Sequence, residues 1–170
     1  MHIKVYANNI LEFQSRRFRC ALGRSGVCED KQEGDGATPI GVFALKRLFV
    51  RSDRLGGVDS GLPVQAIAPD DGWCDDPADP HYNRLVKLPF DASHEQLWRD
   101  DEVYDLIIEI SHNDDPPVPG AGSAVFIHVA KADYAPTAGC VALARDDLLQ
   151  LLPHWSGDTF IEISGCDCPI

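Results

Sequence analysis

No stretch of the sequence approaches the roughly 20 consecutive apolar residues that a membrane-spanning helix requires, so membrane insertion is not expected. Positive charge is scarce as well. Fifteen Lys and Arg stand against 27 Asp and Glu, a formal net charge of −12. Phosphate-rich partners need a basic footprint, and this balance argues against nucleic acid and anionic lipid. The densest basic cluster, Arg16-Arg17-Phe18-Arg19, would be splayed over both faces of a strand. The six cysteines, at 20, 28, 74, 140, 166 and 168, are too sparse and uneven for a disulfide scaffold. They include no C-x-x-C pair, only Cys166-Asp167-Cys168, so neither a metal nor another cofactor is expected. The opening residues, Met1 to Ala7, lack a signal peptide's apolar run and small-residue cleavage site, so the chain as it stands reads as soluble and not visibly exported. Repeats, low-complexity tracts and linkers are missing too. Gly120-Ala121-Gly122 precedes a strand-like run instead of following one, which excludes a dinucleotide-binding fingerprint.

What is present fits a single domain over residues 1–170, with 44% hydrophobic and 25% charged residues. Twelve prolines and 14 glycines punctuate short apolar runs, the pattern of a strand-rich fold. Alternation or β-branched content predicts strands over 2–7, 19–22, 41–50, 84–88, 105–111, 124–130 and 159–164. Residues 124–130 are apolar apart from His128, as a buried central strand would be. Ser93-His94-Glu95-Gln96 reads as a capping box opening a short helix that carries Leu97 and Trp98. A second helix is predicted over about 144–152, with Asp146 and Asp147 in its first turn and Pro153 at its end. Without regular strand–helix alternation, the expected fold is mainly β, a sandwich or barrel with two short helices packed on it.

The chemistry concentrates in two residues. Cys140 follows Gly139, and a helix is predicted a few residues later; a strand-to-helix turn there would lower the thiol pKa. His128 lies twelve residues earlier in the predicted central strand, within reach of a thiol returned by the loop over 131–139. A nucleophile and a base in hydrogen-bond reach is the arrangement covalent catalysis needs. Taken singly, each has a plainer reading: a buried cysteine is a small hydrophobe, and a strand histidine can be a satisfied core residue. Trp73 could line a peptide-binding wall or pack in the core, and His112-Asn113-Asp114 and the acidic loop of Asp75, Asp76 and Asp79 read as solvated.

Two blocks of sequence decide between these readings. His128 followed by Thr137-Ala138-Gly139-Cys140-Val141 resembles the strand His and Ser/Thr-x-Gly-Cys-Ile/Val of the L,D-transpeptidase family, the YkuD-type catalytic domain. About a hundred residues upstream, Thr38-Pro39-Ile40-Gly41-Val42-Phe43 resembles the family's Thr-Pro-x-Gly-x-Phe, and Lys31-Gln32-Glu33-Gly34-Asp35-Gly36 its charged, glycine-containing entry. The resemblance implies a β-sandwich with mixed sheets and no cofactor. It also implies an enzyme that acylates Cys140 with a peptidoglycan stem peptide at an L-to-D bond and passes the acyl group to the amine of a neighbouring stem. His128 would be the base, oriented by a backbone carbonyl expected at Ala130 or the loop after it. Backbone N–H groups around Gly139 and Cys140 would form the oxyanion hole. Thr137 and Tyr134 are expected to contact substrate. The family also implies action in the cell envelope or periplasm and acylation of the cysteine by carbapenems.

Two departures bear on substrate. Ala142 stands where the family usually has an Arg two places after the cysteine, with Arg145 as the substitute expected from the following helical turn. The interval from His128 to Cys140 is also short for the family. Losing a charged clamp would relax donor choice and admit the junction after the first L-Ala of the stem. Three outcomes stay open on sequence alone: a cross-linking transpeptidase, an L,D-carboxypeptidase or related muropeptide hydrolase, and a non-catalytic cell-wall binding module.

Overall fold

The computed structural model describes residues 1–169. Along the chain run β1 (His2–Tyr6), β2 (Ile10–Phe13), β3 (Arg16–Ala21), β4 (Val27–Cys28), β5 (Thr38–Pro39) and β6 (Gly41–Val50). A single helical turn, α1 (Ser52–Leu55), leads to β7 (Val64–Ala66), β8 (Asp71–Cys74), β9 (Leu85–Lys87), β10 (His94–Gln96) and β11 (Leu106–Ile110). The chain ends with β12 (Phe126–Val129), β13 (Val141–Leu143), α2 (Arg145–Leu151), which continues into a 3₁₀ turn over Leu152–His154, and β14 (Phe160–Ile163).

Two sheets share the strands β3 and β6. One runs β3-β2-β1-β14-β6 and the other β3-β13-β12-β11-β6-β7. The ten-residue β6 serves both, pairing β14 through Gly41–Ala44 and β11 through Leu45–Val50. Pairings β1–β14, β12–β13 and β6–β7 are parallel and the rest of the two sheets is antiparallel, so the sheets are mixed. Period-two alternation sends Ile3, Val5, Leu11, Phe13, Ile161 and Ile163 inward from the first sheet, and Leu106, Ile108, Ile127, Val129, Val141 and Leu143 from the second. Leu148, Leu151, Leu152 and Trp155 of the C-terminal helical segment join the same core.

The second sheet is apolar on its outer face as well. Phe49, Ile107, Phe126 and Cys140 belong to a separate cluster completed by Ile67, Trp73, Leu97 and Tyr104. These last four come from the segment between β7 and β11, which folds its own antiparallel sheet, β10-β8-β9. Burial on both faces explains why residues 106–110 and 126–129 read as apolar runs interrupted only by Glu109 and His128. Arg51 and Arg54 fasten this covering layer. Arg51 stacks 3.6 Å from the Trp98 ring and donates to the Arg99 carbonyl at 2.7 Å, and Arg54 pairs with the buried Asp105 at 2.7 Å.

One predicted element is corrected. Ser93 to Gln96 opens no helix. His94, Glu95 and Gln96 pair instead with Cys74, Trp73 and Gly72 of β8. Too few helix-forming residues follow the cap pattern to outweigh a ready sheet edge, since a short isolated helix is marginal. The predicted helix at 144–152 is present as α2. No helix among the described residues is long and apolar enough to cross a membrane.

Candidate active site

The parallel register sets His128 beside Ala142 and Ile127 beside Val141. With Ile127 and Val141 committed to the inner core, alternation turns Phe126, His128, Cys140 and Ala142 to the outer face, under the covering layer. His128 and Cys140 are 6% and 7% exposed and line one cavity of about 510 Å³, a size suited to a small peptide segment.

The imidazole is held by the backbone. Nδ1 lies 2.9 Å from the Val129 carbonyl oxygen, which can only accept, so Nδ1 carries the proton and Nε2 is left as the acceptor. The Tyr104 ring packs edge-on against it, with centroids 5.4 Å apart. The thiol of Cys140 donates to the Ala124 carbonyl at 3.2 Å and accepts the Phe126 N–H at 3.3 Å. Ala124 is itself fixed: it has a left-handed φ of 50°, and its N–H donates at 3.1 Å to Asn83 Oδ1, which also accepts from Trp73 Nε1 at 2.9 Å. Among the described residues no hydrogen bond joins Cys140 to His128 directly.

This environment keeps both groups neutral. Burial pushes the His128 pKa down to about 4, with Arg99 adding to the effect and the Val129 carbonyl and Asp101 opposing it. Burial pushes the Cys140 thiol up to about 12, reinforced by the charge of Glu95 and opposed by the Phe126 N–H and Lys31. The expected thiol activation by a helix N-terminus is therefore corrected. Cys140 leads into β13, and α2 begins only at Arg145. Dehydration of the closed face dominates in place of a dipole.

The two sequence blocks meet behind the cysteine. Thr38, fully buried, accepts the Gly23 N–H at 2.8 Å, and Gly23 bridges to Thr137. Thr137 Oγ1 donates to the Cys140 carbonyl at 2.7 Å and accepts the Gly139 N–H at 3.0 Å. Gly139 has φ +140°, and a Cβ there would lie 2.8 Å from the Ala37 carbonyl oxygen. Gly139→Ala should therefore cost about 1–3 kcal/mol and reduce turnover, because a strained backbone and a backbone clash coincide. A denaturation midpoint equal to wild type would contradict this close approach.

Other expected site residues are distributed differently. Thr137 and Gly139 line the cavity, but the Gly139 N–H is already taken by Thr137. The ring-orienting carbonyl belongs to Val129 and not to Ala130, whose N–H extends the sheet to the Leu143 carbonyl at 2.7 Å. Tyr134 lies outside the cavity with its ring under Arg19, 4.4 Å away. Arg145 also lies outside, turned to Glu102 at 3.4 Å and Asp105 at 3.7 Å. It occupies the first turn of α2, which faces the buried Asp105 carboxylate, so it does not replace a cation beside Ala142. Trp73 is core, edge-on to Phe126 at 5.0 Å. The sequence reading missed Glu95, Arg99 and Tyr104, which the covering layer brings to the cavity wall. Glu95 was hidden inside the apparent capping box.

A family model described as the L,D-transpeptidase catalytic domain (YkuD) matches residues 2–163. No curated protein matches the chain. Among solved structures, the helical cell shape determining protein Pgp2 from Campylobacter jejuni is similar at 14% identity and a TM-score of 0.47, covering 98% of this chain and 48% of that one. An L,D-transpeptidase from Mycobacterium smegmatis is similar at 13% identity and a TM-score of 0.44, with 96% and 58% covered. L,D-transpeptidase 1 of Mycobacterium tuberculosis gives 15% and 0.39, with 96% and 60% covered. The chain thus spans 48–60% of the length of these solved proteins.

Proposed function

Because the chain belongs to the L,D-transpeptidase catalytic-domain family, we propose that it transfers a peptidoglycan stem-peptide acyl group through Cys140. The observation that carries this reading is the shared buried cavity of Cys140 and His128, with the ring's other nitrogen tied to the Val129 carbonyl. When a peptide carbonyl enters, Sγ leaves the Ala124 carbonyl and gives its proton to His128 Nε2 as it attacks. The charge moves from a neutral pair to thiolate and imidazolium only as the carbon–sulfur bond forms. The Cys140 N–H, which has no acceptor among the described residues, is the donor left to meet the developing oxyanion. The imidazolium then protonates the leaving amine, and the acyl-enzyme passes to an amine or to water. The first outcome makes a cross-link and the second is a carboxypeptidase reaction; either is cell-envelope chemistry.

Ala142 puts a methyl group beside His128 where the expected family cation would stand. The cavity's cations come from other elements, Arg24, Lys31, Arg99 and Lys131. The donor contact next to the ring therefore loses its charge while the outer wall keeps some. This supports the relaxed donor choice that admits the L-Ala junction.

Incubation with tetrapeptide and tripeptide stems, followed by intact-protein mass spectrometry, tests both statements. An acyl adduct on Cys140 with loss of terminal D-Ala supports the enzyme, and loss of the fragment beyond L-Ala supports the relaxed choice. A carbapenem should also add its mass to the protein at Cys140. No adduct from any of the three would overturn the acyl-transfer reading.

A further inference from the structure

Resting on that reading, we infer that Glu95 is a second base in the cavity, which takes the surplus proton of an incoming ammonium group and so makes an amine the preferred acceptor. Glu95 lies on β10 and lines the cavity with Cys140 and His128. Its carboxylate accepts the Tyr104 hydroxyl at 2.6 Å, and the same Tyr104 ring packs against His128. One phenol therefore fixes both groups relative to each other, the imidazole through its ring and the carboxylate through its oxygen.

Proton balance gives the second base its purpose. An alkyl amine with a pKa near 10.4 arrives at neutral pH almost entirely as ammonium. Its reaction with the acyl-enzyme forms a nitrogen–carbon bond and breaks the carbon–sulfur bond. The products are the amide, the Cys140 thiol and one proton more than the thiol can hold. One proton passes through His128 Nε2 to Sγ. The imidazole cannot keep the other, because Nδ1 is already protonated against Val129 and Nε2 must be free for the first transfer. The Glu95 carboxylate receives it and releases it to solvent. Water as acceptor brings no ammonium and generates no such surplus in the thioester-cleaving step.

The surroundings let this carboxylate take up a proton more readily than one in open water. Burial raises the Glu95 pKa, the Tyr104 hydrogen bond and Arg99 lower it, and Asp75 and Glu33 raise it. The same negative charge contributes to the raised thiol pKa.

The test is the partition of one acyl-enzyme between two acceptors. The donor is a tetrapeptide with its side-chain amine acetylated, and the acceptor is a tripeptide with that amine free. Both products derive from the same intermediate, so their ratio is independent of how fast acylation occurs. Glu95→Gln should lower the ratio of cross-linked to hydrolysed product about a hundredfold near pH 7. Raising the pH toward that of the free amine should restore it, a rescue that a merely structural role would not give. Tyr104→Phe keeps the ring against His128 but removes a hydrogen bond that lowers the Glu95 pKa, so the acid limb of the ratio should move to higher pH. An unchanged ratio in Glu95→Gln overturns the inference, as does a wild-type enzyme that yields only hydrolysed product. Absence of any Cys140 adduct in the wild type is a different result, and it removes the acyl-transfer reading itself.

Discussion

Cys140→Ala should abolish acyl transfer and leave the protein folded. The substitution removes the atom that forms the covalent bond, and no neighbouring hydroxyl or thiol stands on the same strand face to replace it: Phe126, His128 and Ala142 surround the position. Loss of a nucleophile that acts as a unit with its base costs about 10⁴–10⁶ in turnover. The structural cost is small by comparison. Sγ fills little volume in the outer cluster, and its two hydrogen bonds go to backbone groups of the segment that Asn83 also anchors. About 1 kcal/mol or less is expected, a shift of a few degrees in Tm. Turnover of a tetrapeptide and the thermal midpoint should be measured on one preparation. Residual activity above about one part in 10³ would assign the chemistry to another group.

The difference between these two costs reflects how the site is built, and it explains which parts were legible in the sequence. Strands β1, β6, β11, β12 and β14 announce themselves by alternation or apolar runs because each presents at least one face to a core. His128 and Cys140 announce themselves because motif residues surround them, and the structure gives the motif a physical meaning in the Gly23–Thr38–Thr137–Gly139 contact. The short β2, between tight turns at Asn9 and at Gln14-Ser15, all with positive φ, is not among the strands predicted from sequence, since four residues are too few to establish a period. Strand β10 fails for a different reason. Its local pattern favours a helix start, and only pairing with β8, some twenty residues away, overrides it. The wall residues Glu95, Arg99 and Tyr104 come from that same layer. Their approach to the cysteine depends on packing over the sheet, through Trp73 on Phe126 and Tyr104 on His128, and no spacing along the chain encodes it. The protonation state of the dyad is hidden likewise, since it follows from burial.

That protonation state leads to the second large effect. His128→Gln should lower the rate of Cys140 acylation by about 10²–10⁴, the scale for losing a general base. The pH profile of the wild type identifies the cause. With His128 at about 4 and Cys140 at about 12, the neutral pair is the dominant form across the whole range between them. Proton transfer within the pair changes no net protonation, so kcat/KM should be flat through neutrality. It should fall on the acid side only near pH 4, where Nε2 becomes occupied, and not near the ordinary histidine value of about 6.5. Folding is linked with the same sign. A histidine whose folded pKa is depressed stabilises the fold fully above its unfolded value of about 6.5, and that contribution is lost as pH falls toward 4. Burial is the first cause of the depression and Arg99 the next charge acting with it, against Asp101. The wild type should therefore lose stability between about pH 6.5 and 4 by an amount on the order of 3 kcal/mol that His128→Gln does not lose. Denaturant midpoints of the two proteins across this range, set beside the acylation profile, decide the matter. An acid limb near pH 6.5 together with parallel stability curves would mean that the imidazole is hydrated and ordinary. The thiol would then have to be activated as a standing thiolate, and not in concert with its attack.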